Sequence, residues 1–243
     1  MGSLVASMTQ EFYGFGRWDA PYWFIGPEPG GEGNEMRAEA FKKLGKDGLC
    51  DCKEFHEEIG EMRWHREAPE AAVLQRTWRR LILLLMASLH EPSDQESLRS
   101  YQRDHWGRSA GNTCVVELSG LSARNSQESK KNKGYLDKKA EIVEARIKTI
   151  RERMSLDKLK PRLVVMYGFS EEKNWSRIAG CDLTRGGAEK HESTIFVLAP
   201  HPNARGPKDD NWKQLAEKVA NKLDSMKGTG FSPYIKTAKG TGL

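Results

Sequence analysis

Apolar residues along this chain follow two alternating rhythms. Four short runs rich in β-branched and aromatic residues, Tyr22 to Ile25, Cys114 to Leu118, Arg162 to Tyr167 and Thr194 to Leu198, are too short for helices and read as buried strands. Between them apolar positions recur every three or four residues. Ala71, Leu74, Trp78, Leu81, Leu85 and Leu89 form one helical stripe, and Leu136, Ala140, Val143, Ile147, Ile150 and Met154 form another. Trp212, Leu215, Val219 and Leu223 mark a last helix, and Trp23, Trp78 and Trp212 are expected in the core or at an interface. Strands separated by helices long enough to cross over predict an α/β fold, a three-layer α/β/α sandwich around a central four-stranded parallel sheet.

The 243 residues, 37% of them hydrophobic, suit a single core, and one domain is expected over residues 1–230. A charged insertion at about 31–68, broken by Gly33, Gly45, Gly48 and Gly60, is expected to form short helices that cover a cleft rather than extend the sheet. Residues 231–243, with no periodicity, read as a flexible tail. The longest apolar run, Leu81 to Ala87, is too short to span a bilayer and no secretory leader is apparent, so a soluble cytoplasmic monomer is expected.

Cys50, Cys52, Cys114 and Cys181 give neither a disulfide framework nor paired zinc spacing, although Cys50-Asp51-Cys52 is a close pair. His56, His65, His90 and His105 likewise show no ligand spacing, so no metal is expected. The net charge of +5 is unevenly spread: Lys130, Lys131, Lys133, Lys138 and Lys139 follow Arg124, and Lys236 and Lys239 lie in the tail. Such runs are ordinary solvated faces in most proteins, and they also permit an anionic partner.

Two of the strands run into sharp Gly/Pro turns that carry reactive side chains. The first reads Trp23-Phe24-Ile25-Gly26-Pro27-Glu28-Pro29-Gly30; the second reads Phe196-Val197-Leu198-Ala199-Pro200-His201-Pro202-Asn203-Ala204-Arg205-Gly206. Ligands of open α/β sheets bind outside the carboxyl ends of the strands, so these turns would bring Glu28 and His201 to one cleft. Glu32, four residues further along the same Gly-rich loop, is the alternative acid.

On these two motifs the chain resembles the uracil-DNA glycosylase superfamily. Gly26-Pro27-Glu28-Pro29-Gly30 is similar to that family's first motif, with Glu28 at the acid position and Gly30 where the strictest branch has tyrosine. His201-Pro202-Asn203-Ala204-Arg205 is similar to the second, which assigns His201 as the catalytic histidine and Arg205 as the wedge that fills the gap left by a flipped nucleotide. The resemblance further implies that Ser170, after the third strand, and Asn203 and Arg124 contact DNA phosphates. Gly26, Pro27 and Gly30 would border the base. The family's base-reading Asn at the end of the second strand is absent; Leu118 or Ser119 stands there, with Glu117 on the same strand face as Ser119. Phe55, or Tyr13 or Phe15, would stack on the base. No cysteine precedes Cys50, so no iron–sulfur cluster, and no other cofactor, is expected.

The resemblance therefore implies a monofunctional hydrolase of base excision repair that removes uracil, and other deaminated bases, from DNA. Glu28 would stabilise the sugar cation and hold the attacking water, while His201 would donate to uracil O2 as the base departs. The alternatives are a non-catalytic nucleic-acid-binding relative and an N-glycosidase acting on free nucleosides or nucleotides.

Overall fold

The computed structural model describes residues 3–28, 30, 34–68, 71–120, 133–156 and 160–227. Helix α1 (Ser3–Glu11) leads into β1 (Gly14–Gly16) and β2 (Tyr22–Gly26). Then come α2 (Asn34–Leu44), β3 (Leu49–Cys50), α3 (Cys52–Glu58), α4 (Arg76–Ser88), α5 (Gln95–Asp104) and β4 (Thr113–Glu117). The carboxyl-terminal part supplies α6 (Lys133–Ser155), β5 (Leu163–Tyr167), α7 (Glu172–Ala179), β6 (Ala188–His191), β7 (Thr194–Ala199) and α8 (Asp209–Lys227).

The strands form one mixed sheet in the order β3-β1-β4-β2-β5-β7-β6. Among the described residues it has seven strands, more than the four parallel strands expected. β4, β2, β5 and β7 pair in parallel with one another in that order, β1 runs antiparallel to β4, and β6 runs antiparallel to β7. β3 lies parallel to β1 at the edge, so the segment after β2 does extend the sheet, contrary to expectation.

Period-two alternation divides each strand between two cores. Phe24, Val115, Val165 and Val197 face one side, where α4 and α8 pack through Leu81, Leu85, Trp212 and Val219. Trp23, Ile25, Val116, Val164, Met166 and Leu198 face the other, against Ile147 and Ile150 of α6 and Trp175 and Ile178 of α7. With helices on both faces, a strand such as β2 is buried throughout, which is why it reads as an unbroken apolar run. Helix α4 begins at Arg76, five residues after the apolar stripe does, because the Gln75 side chain caps it by accepting from the Trp78 N–H. Among the described residues no helix is long and apolar enough to cross a membrane.

Candidate active site

β2, β4, β5 and β7 end on the same edge of the sheet, and their carboxyl ends carry the reactive groups. The parallel ladder continues past Gly26: the Leu118 N–H donates to Gly26 O (2.7 Å) and the Ser119 N–H to Pro27 O (3.0 Å). This stitches the first turn to the end of β4 and sets Glu117 over Gly26. A Cβ at Gly26 would lie 2.1 Å from both Glu117 Oε2 and the Tyr167 hydroxyl. Only glycine lets those two side chains meet, so Gly26→Ala is expected to push them apart and to destabilise the fold by about 1–3 kcal/mol, read from its denaturation midpoint.

Glu117 is the most perturbed acid of the site. Tyr167 donates its hydroxyl proton to Oε1 (3.2 Å), while Oε2 is buried and has no hydrogen-bond partner among the described residues. Burial pushes the Glu117 carboxyl up to about 8; the nearby Glu28 charge raises it further, against the Tyr167 hydrogen bond and the cations Arg146 and Arg37. At neutral pH it is a neutral acid, with the proton left to Oε2.

Glu117 is also held from behind. The Arg146 guanidinium of α6 donates to three carbonyls, Glu117 O (2.9 Å), Phe12 O (2.7 Å) and Thr9 O (3.2 Å), and lies over the Tyr13 ring.

Glu28 is half-buried on the turn after β2. Burial raises its carboxyl above the ordinary value, opposed by Lys139 and reinforced by Glu171. His201 follows β7. Its Nδ1 accepts from the Asn203 N–H (3.1 Å), which leaves the proton on Nε2, and burial lowers its pKa, so the ring is neutral at pH 7. The turn is clamped from α4: Asn203 Nδ2 donates to Thr77 Oγ1 (2.9 Å), and Arg80 donates to Pro202 O. Arg79 anchors the start of α8 through Asp209 (2.8 Å for one of two bonds).

Tyr167, which sequence reasoning took only as the end of a strand, links the two motifs. Its ring sits edge-on to His201 with centroids 5.7 Å apart while its hydroxyl holds Glu117. Gly168 (φ +92°) follows, and a Cβ there would lie within 4 Å of both Pro27 and His201, so the two turns meet across it.

A pocket of about 140 Å³ opens beside Glu117 and Ser119. Gly30, Phe12, Tyr13 and Phe15 line it, with Arg37 of α2 and His56, Trp64 and Trp78 on the far wall. An engineered cavity of about 150 Å³ admits benzene, so this space fits one six-membered ring. Neither Glu28 nor His201 lines it; His201 joins the site through Tyr167. Arg37, which the sequence did not single out, is buried over the Phe55 ring and makes no hydrogen bond or ion pair among the described residues. A larger cavity of about 710 Å³, bordered by Asp19, Pro21 and Asn112, lies at the opposite ends of the strands and holds none of these groups.

The remaining candidates divide. Phe55 is not available for stacking on a base: it is fully buried, with Phe12 stacked on its face at 5.2 Å and Phe15 packed against it. Tyr13 and Phe15 do reach the pocket. Arg205, Asn203 and Ser170 are exposed at the ends of β7 and β5. Arg124, Glu32, Pro29 and the tail 231–243 lie outside the described residues. His56 and His65, for which the sequence offers no ligand spacing, come together beside Cys52 behind the pocket wall. The signal was present as Cys52-x-x-x-His56, one helical turn apart. No protein-family model matches the sequence, and no curated protein matches it at a significant level.

Proposed function

We propose that this protein is a monofunctional DNA glycosylase of the uracil-DNA glycosylase kind, with the central strands β4-β2-β5-β7 corresponding to that fold's parallel sheet. One observation carries the reading: a buried acid, Glu117, with an unpartnered oxygen at the wall of a ring-sized pocket, flanked by the turns that hold Glu28 and His201. An orphaned buried polar atom costs roughly 1–3 kcal/mol, a penalty that a ligand hydrogen bond removes.

The pocket takes a pyrimidine more readily than a two-ring purine. Tyr167 fixes the polarity of the neutral Glu117 carboxyl, so Oε1 accepts and Oε2–H donates. Adjacent acceptor and donor complement uracil N3–H and O4, whereas cytosine presents the reverse pair. Tyr167→Phe frees the carboxyl to exchange its donor and acceptor, and is expected to narrow the preference for uracil over cytosine by roughly 1–3 kcal/mol, read from relative excision rates.

With the base held there, breaking the C1′–N1 bond leaves its electron pair on the base and positive charge on the sugar. The His201 Nε2–H donates to O2 of the departing anion. The Glu28 carboxylate faces the cation and takes the proton of the water that attacks C1′, giving free base and an abasic site. The raised Glu28 value suits a base at neutral pH. Two carboxyls in unlike surroundings, the fully buried Glu117 and the half-buried Glu28, thus divide the work.

The target base lies inside a stacked duplex and must be flipped out at a cost of roughly a few kcal/mol. Arg205, exposed after the His201 turn, would fill the gap, and the exposed Ser170 and Asn203 would contact the flanking phosphates. Arg205→Ala is expected to slow excision from duplex on the order of tenfold or more, to leave single-stranded excision unchanged and to weaken the salt dependence of binding. A hydrolase of free nucleosides would be indifferent to this change. Release of uracil from a labelled oligonucleotide, with a cytosine oligonucleotide left intact, tests the function as a whole.

A further inference from the structure

A cluster behind the pocket wall plays no part in this chemistry. Cys52 and His56 lie one turn apart on α3, and a 3₁₀ turn (Met62–Trp64) returns the chain so that His65 meets them. Cys52 Sγ is 3.5 Å from His56 Nδ1 and 4.0 Å from His65 Nε2, and the two nitrogens are 3.2 Å apart. An ion with Zn–S near 2.3 Å and Zn–N near 2.0–2.1 Å sets its tetrahedral ligands about 3.6 Å (S to N) and about 3.4 Å (N to N) apart. Three side chains from two separate segments therefore already mark three corners of such a coordination shell. We propose that Cys52, His56 and His65 bind a single tetrahedral transition-metal ion, Zn²⁺ by ligand type, which fixes the covering segment against the sheet.

The surroundings favour a metal over a hydrogen-bonded trio. All three residues are buried, at 0%, 3% and 0% exposure. Phe15, Phe55, Trp64 and Trp78 crowd the His56 ring and keep the site apolar. Without an ion, His56 Nδ1–H donates to Cys52 O (2.6 Å). Binding moves that proton to Nε2 and releases the thiol proton to solvent. Asp51 holds the start of α3, capping it through the Lys53 and Glu54 N–H groups and accepting from Arg108 (2.8 Å). The fourth corner is left to water from the adjoining pocket, which His56 also lines. Cys50 is not among the converging atoms.

The inference is independent of the proposed reaction, and its test is spectroscopic. The full chain, stripped with chelator and titrated with Co²⁺, is expected to bind one ion per chain with intense tetrahedral d–d bands and a thiolate-to-cobalt charge-transfer band. That band is lost in Cys52→Ala and kept in Cys50→Ser. Zn²⁺ at about a thousandfold over its dissociation constant should raise the melting temperature of wild type on the order of 10 °C. A folded wild type that binds no Co²⁺ and melts at the same temperature with Zn²⁺ or chelator overturns the proposal, whether or not the variants fold. So does a charge-transfer band that survives Cys52→Ala.

Discussion

Glu28→Gln is expected to slow base release by roughly a hundredfold to a thousandfold while leaving DNA binding intact. Gln keeps the size and the hydrogen-bonding reach of Glu28 but lacks the negative charge proposed to face the sugar cation, and it could not take the proton of the attacking water in the proposed reaction. Removing one preorganised electrostatic contact costs about 3–4 kcal/mol in a water-excluded site, which sets the size of the effect. Glu28 is half-buried and its carboxyl is raised by that burial, so its charge acts through less water than an exposed carboxylate's would. Single-turnover excision with enzyme in excess separates this loss in chemistry from any change in affinity. Equal single-turnover rates for wild type and variant would remove the acid role from Glu28.

Glu117 should give the protein an unusual dependence on pH. Its carboxyl is raised to about 8, against about 4.3 for glutamate in an unfolded chain. Between those values the folded state keeps a proton that the unfolded chain has released, so stability falls as pH rises through this window and levels off above about 8. The slope is about 1.4 kcal/mol for each pH unit, a total of a few kcal/mol. Glu117→Gln removes the titration while keeping one donor and one acceptor. Its melting temperature should therefore lack the decline that wild type shows from weakly acidic to weakly alkaline pH.

The same ionisation reaches the site. Above about pH 8 both Glu117 oxygens become acceptors, and uracil O4 then meets negative charge. Excision by wild type should drop there, whereas Glu117→Gln should hold its rate, and Glu117→Ala should be slowed on the order of a hundredfold at every pH. A Gln variant with the wild-type alkaline fall would place the titrating group elsewhere.

The parts of this fold that sequence reveals are those fixed by burial on both sides. β2, β4, β5 and β7 appear within a residue of their observed limits because each is built around a run of buried apolar residues, with Glu117 closing β4 and Thr194 opening β7. The stripe through Trp212, Leu215, Val219 and Leu223 lies on α8 for the same reason. β1, Gly14-Phe15-Gly16, is invisible because it has one strand-forming residue between two glycines, and β3 is only two residues long. β6, Ala-Glu-Lys-His, is an exposed edge whose charges hide it from a hydrophobic reading.

The site divides similarly. Glu28 and His201 stand out because Gly/Pro turns after buried strands are conspicuous. Tyr167 and Arg37 do not, since an aromatic at a strand end and an arginine in a charged helix have ordinary explanations until their neighbours are known. Phe55 misled for a physical reason: an aromatic in a covering segment packs inward whenever another ring is there to receive it, and Phe12 is. His56 and His65 converge through a turn that their spacing in sequence does not announce.

The most direct measurement is excision from end-labelled oligonucleotides carrying one uracil, single-stranded and opposite guanine or adenine, followed by alkali to cut abasic sites. Wild type should give strand cleavage only after alkali, and Glu28→Gln and His201→Ala should give little or none. A folded wild-type protein that leaves every uracil oligonucleotide intact, or that cuts the strand without alkali, would contradict a monofunctional uracil-DNA glycosylase.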